Sequence, residues 1–240
     1  MKNILTFVLL MVFAITAAAV HADMDYSAQI DLIAANSDLW KQDVEYFQWG
    51  YTVTDLDHND RLEIISCSVQ GTGFYSYIKA YEVNEAGTGL TDIMEKMGIR
   101  TDSAPDIMVS RIPVYFDKEA NRYYYIFDDM IRNGMAEYYE NKRAVSLSDS
   151  VWEETMLANK TTIYTDSEHS TVSCQDADGN TISEAQFETI AATVYGNHEA
   201  GEVCFKWFTT TVEEFAAVTE PQLIENLNSA IESSCPVDAQ

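Results

Sequence analysis

The chain has 240 residues, with 39 Asp and Glu against 14 Lys and Arg, a formal net charge of −25. A surface of that sign repels nucleic acid and anionic membranes, so neither is expected as a partner. Aromatic residues make up 12% of the chain and there are only 4 prolines, which excludes a disordered polypeptide and favours a folded domain containing strands.

Met1–Ala22 reads as a secretory signal peptide: Lys2 is followed by an apolar run from Ile4 to Ala19 and by small residues at Val20 and Ala22. The run is shorter than the ~20 residues a membrane-spanning helix needs. The expected mature product is a single secreted domain, 23–240, in the periplasm, at the cell surface or in the medium, with no membrane insertion after cleavage. In that setting the even set Cys67, Cys174, Cys204 and Cys235 permits two disulfides, in any of three connectivities.

Apolar spacing predicts a helix across Tyr26–Lys41 with a break near Asn36. After Trp49 and Gly50 the pattern changes to strand. Leu62–Val69 and Phe74–Val83 read as strands joined by a turn at Gly71–Gly73, followed by a glycine-containing turn at Asn84–Gly89. Thr91–Gly98 reads as a short helix and 99–105 as a polar connection. Strands are then expected over Ile112–Phe116, Arg122–Phe127, Met135–Leu147, Val151–Tyr164 and Thr171–Gln175.

Ser183 with Gln186 forms a capping-box spacing ahead of a helix that Gly196 ends, Glu202–Phe208 reads as a strand, and Thr219 with Gln222 opens a last helix. The predicted class is α+β: a twisted antiparallel meander sheet with helices at the N- and C-terminal ends.

The densest chemistry lies between the strand at Tyr51 and Val53 and the strand from Leu62. Asp55, Asp57, Asn59 and Glu63 occupy positions one, three, five and nine of a loop, with the Arg61 carbonyl at seven. Oxygen ligands in that register suit Ca²⁺, which takes six to eight of them. The alternative is a turn in which Asp and Asn bond their own backbone. Asp176, Asp178, Asn180 and Glu184 repeat the spacing, but a turn leading into a capped helix accounts for all four.

The stretch Gly50–Ile65 resembles the calcium loops of FG-GAP/VCBS-type modules, which run Asp-x-Asp-Gly-Asp-Gly-x-x-Glu between two strands. The resemblance covers about Trp49–Val83 and implies an exported β-rich module with a calcium loop and no established activity. His58 and Asp60 stand where that pattern has glycine.

Other chemistry is weakly marked. The carboxylate pairs Asp128–Asp129, Glu153–Glu154 and Glu213–Glu214 are only adjacent in sequence, and His58, His169 and His198 lie in polar turns. Tyr123–Tyr125, Tyr138–Tyr139, Phe74–Tyr77 and Trp207–Phe208 place aromatics on both faces of strands, as covered core or as a stacking surface. The functional expectation is a non-catalytic module, stabilised by Ca²⁺, that engages an extracellular protein or glycan. A secreted hydrolase without marked catalytic residues is the competing reading.

Overall fold

A computed structural model describes residues 25–44, 47–95, 105–167 and 169–232. The expected signal peptide, Met1–Ala22, and Cys235 lie outside the described residues. The elements run α1 (Tyr26–Ala35), α2 (Ser37–Trp40), β1 (Trp49–Thr54), β2 (Glu63–Gln70), β3 (Tyr75–Val83), β4 (Leu90–Asp92), β5 (Arg111–Asp117), β6 (Arg122–Asn133) and β7 (Glu137–Ser148). They continue with β8 (Val151–Tyr164), β9 (Ser170–Asp176), β10 (Thr181–Ile182), α3 (Glu184–Glu188), α4 (Ile190–Tyr195), β11 (Glu199–Cys204), β12 (Phe208–Thr210), α5 (Val212–Ala217) and α6 (Glu220–Glu232). No helix among the described residues is long and apolar enough to cross a membrane.

The strands form two antiparallel sheets, one in the order β12-β1-β2-β3-β4 and the other β10-β9-β8-β7-β6-β5-β11. β1, β2 and the middle stretches of β6 and β7 are buried on both sides, so consecutive residues there enter different cores. Ile64 packs with Trp40, Trp49, Tyr51 and the α6 residues Leu223 and Leu227, whereas Ile65 packs with Trp152 and Phe127 of the second sheet. Tyr125 and Phe127 face that same central core, while Ile126 between them packs under Phe187 and Ile190 of α3 and α4. The layers are therefore helix, sheet, sheet, helix. Gly50 marks the close approach in the middle: a Cβ there would stand 2.6 Å from Met108 Sδ.

The class is α+β with mostly antiparallel strands, as the sequence predicts. The meander is divided into two sheets rather than one, with β12 and β11 returning as edge strands beside β1 and β5, and the remaining differences are local. Thr91 and Asp92, expected to start a helix, belong instead to β4, which pairs with Tyr81–Val83, because Ile93 is drawn into the core between the sheets and its N–H donates to Ala80 O at 3.1 Å. Residues 93–95 form no α-helix, and 96–98 of the expected helix lie outside the described residues.

The expected strand Glu202–Phe208 is divided. Val203 and Cys204 pair with β5, whereas Phe208 pairs with Tyr51 in the other sheet. Buried Phe205 sits in the shared core at the crossing. Helix α5 opens with a capping box between Thr211 and Glu214.

Among the described residues Cys67, Cys174 and Cys204 are free thiols, so none of the disulfides that the sequence permits joins these three. The reason is placement: Cys67 is sealed between the sheets, Cys174 lies beneath α3 and α4, and Cys204 is on the edge strand β11.

Candidate metal centre

The segment from Asp55 to Leu62 links β1 to β2 and is pinned at both ends by leucines. Leu56 and Leu62 are 2% and 1% exposed. Gln29 of α1 reaches into the loop, donating to Asp60 O and accepting from Leu62 N–H, each at 2.8 Å. From the other sheet the Tyr125 hydroxyl donates to Leu56 O at 2.7 Å, and the His58 ring lies 4.2 Å from that of Tyr123. His58 and Asp60 take φ of +56° and +65°. These are the two positions where the resembling loops carry glycine, and the left-handed conformation costs an L-residue about 1–2 kcal/mol. The anchors from α1 and β6 hold the loop in it.

Asp55, Asp57 and Glu63 bring carboxylate oxygens within 4.8 Å of one another and could hold a metal ion. Asp55 accepts the N–H groups of Asn59 at 3.0 Å and Asp60 at 3.1 Å. Glu63 accepts the Leu56 N–H through Oε2 at 2.6 Å. Its side chain is fully buried, and Oε1 has no hydrogen-bond partner; neither has Asp57 Oδ1.

Burial raises the pKa of all three carboxyls. Glu63 is held well above its usual value by burial and then by the Asp55 charge. Burial, then Glu82 and Asp55, pushes Asp57 up to about 6. Asp55 is raised by burial against the opposing pull of His58. Like charges gathered out of water call for a proton or a cation.

Asn59, the remaining side-chain ligand expected, is held by hydrogen bonds within the loop and to Glu82. Asn59 Oδ1 accepts from Arg61 N at 2.8 Å, while its amide nitrogen donates to Asp57 Oδ2 at 3.0 Å and Glu82 Oε1 at 2.8 Å. The Arg61 guanidinium pairs with Glu82 at 2.9 Å. Glu82, fully buried on β3, is the carboxylate that the loop spacing did not reveal. The signal was there in the hairpin: a turn at Gly71–Gly73 sets a register in which Glu63 faces Glu82.

The second spacing does not assemble a comparable cluster among the described residues. Asp176 accepts from the backbone of Asp178 and from the side chain and backbone of Asn180, and those bonds, the Asn180 side chain foremost, lower its pKa. Ser183 and Gln186 close the capping box.

The adjacent acid pairs diverge. Asp128 pairs with Lys142, while Asp129 is buried beside Asn141 and Arg143; Glu153 pairs with Arg122 and Glu154 with Arg143; Glu214 caps α5. His169 bonds Asp166, and His198 stacks on Tyr124. The tyrosine run is largely covered: Tyr125 lies in the central core and Tyr124 stacks on Tyr195 at 4.6 Å. A cleft of about 840 Å³ opens between α1–α2 and α5–α6. Its basic groups bond within it, Lys41 to Asp38 and Lys79 to Lys41 O.

No family model matches the chain, and no curated protein matches its sequence. Among solved structures, a Xanthomonas protein described as type IV secretion system related is similar over 56% of this chain, with 11% identity and a TM-score of 0.34. The match spans 58% of that protein's own length.

Proposed function

We propose that this protein is an exported, non-catalytic module whose Asp55–Glu63 loop binds Ca²⁺, and that the module engages an extracellular protein or glycan. The observation that carries the calcium reading is the Glu63 carboxylate, fully buried with Oε1 unpartnered beside Asp55 and Asp57. Hard carboxylate oxygens suit Ca²⁺, and a hairpin loop adapts to its irregular coordination more readily than to the strict octahedron of Mg²⁺. The ion adds what the cluster lacks, two positive charges. Flanking strands in place of helices agree with the resemblance to FG-GAP/VCBS-type loops, and the apolar N-terminal run supports export.

The test is a thermal melt of the mature chain with calcium, with magnesium and with chelator. Calcium at 100 times its dissociation constant adds about 2.7 kcal/mol, a rise of roughly 5–10 °C for a domain of this size. Glu63→Gln keeps an acceptor for Leu56 N–H but removes the buried charge. It is expected to melt above the wild type in chelator and to lose most of the calcium-dependent rise. A wild-type Tm that ignores millimolar calcium would discard the calcium reading.

A further inference from the structure

Glu82 collects three donors: Asn59 Nδ2 at 2.8 Å, the Arg61 guanidinium at 2.9 Å and the Ser150 hydroxyl. The first two belong to the candidate cation loop. The third belongs to the β7–β8 turn of the other sheet, and Arg61 also donates to that hydroxyl at 3.2 Å. Asp149 and Ser150 in this turn have φ of +52° and +57°, the pair of left-handed residues a type I′ hairpin needs. Asn and Gly suit those positions, and serine does not. What serine supplies there is a hydroxyl aimed at a buried carboxylate. Two residues on, Trp152 N–H donates to Ile93 O at 2.9 Å, a second link from the same turn towards the first sheet.

The orientation of Asn59 follows from its neighbours. Arg61 N–H requires an acceptor, which Oδ1 provides, whereas Asp57 Oδ2 and Glu82 Oε1 require donors, which Nδ2 provides. One amide group is thus shared between a loop carboxylate and Glu82.

We propose that Glu82 is the positioning residue of the cation loop and couples its occupation to the β7–β8 turn; this rests on the calcium reading above. Without a cation, Asp55, Asp57, Glu63 and Glu82 repel one another, and Asn59 and Arg61 are drawn towards both sides of the cluster. A bound cation neutralises the loop carboxylates, leaves Asn59 and Arg61 to Glu82, and firms the contact with Ser150. The same chain of contacts carries the effect into the second sheet.

The experiment is amide hydrogen exchange of the full chain in calcium chloride and in chelator, with calorimetry of calcium binding alongside. Calcium is expected to slow exchange at Ser150 and Trp152 by about tenfold beyond any slowing of the β8–β9 ladder. Ser150→Ala is expected to bind calcium and to lose that extra protection. Glu82→Gln is expected to weaken calcium binding to the folded chain by roughly 10–100-fold, which a loss of stability alone would not do. Equal slowing at the turn and the ladder, or extra protection retained in Ser150→Ala, would refute the coupling and leave the cation site standing. Absence of calcium binding to the wild type would remove both. If Glu82→Gln does not fold, Ser150→Ala decides the matter.

Discussion

Asp129, on the inner face of β6, shows the effect of burial on a carboxyl outside the loop. It is 1% exposed, Asn141 donates to it at a long 3.4 Å, and Arg143 is 3.8 Å away. Burial pushes its pKa from 3.8 up to about 6, against the pull of Asn141 and Arg143. The folded chain then binds a proton that the unfolded chain has released at the same pH. Stability from this group therefore declines as pH rises from about 4 to about 6 and is flat above. Asp57 in chelator has the same sign, since it too is held near 6. Urea melts in chelator are expected to show the midpoint rising as pH falls from 7 to 5. Asp129→Asn should reduce that slope and leave the part due to Asp57, and an unchanged slope would mean that Asp129 does not titrate in this range.

Elements were readable from sequence where a local rule sufficed. The break at Asn36, the strand β8 and the Ser183 capping box are written in neighbouring residues. Helix α5 was equally local, a Thr-x-x-Glu box at Thr211 and Glu214. Replacing such a cap by alanine costs about 1 kcal/mol, so Thr211→Ala should lower the urea midpoint modestly without altering calcium binding. Where tertiary contacts decide, the sequence was silent. Ile93, Met94 and Met97 have helical spacing, yet Leu90–Asp92 is captured by the edge of β3. At Phe205 an unbroken strand-like pattern, Val203 to Phe208, conceals a passage from one sheet to the other. The candidate site divides in the same way: Asp55, Asp57 and Glu63 follow from spacing along one loop, whereas Gln29, Glu82 and Ser150 come from α1, β3 and the β7–β8 turn and meet it only in the fold.

The central core is built from both sheets, so the two are expected to unfold in one cooperative transition. Trp152 illustrates the point: it is 1% exposed among Ile65, Phe127, Leu147 and Phe205. Trp152→Ala should cost about 3–5 kcal/mol, and circular dichroism and tyrosine fluorescence should still report one coincident transition at a lower temperature. Separate transitions for the two sheets would show that they fold as independent units. The same core encloses Cys67, fully buried, with its thiol pushed upward by burial and by nearby Asp106. Only a thiolate attacks a disulfide or an alkylating reagent, so Cys67 stays chemically silent while the sheets remain closed. Once they part it becomes an ordinary nucleophile, and the chain thereby carries its own clock for the opening of the sandwich.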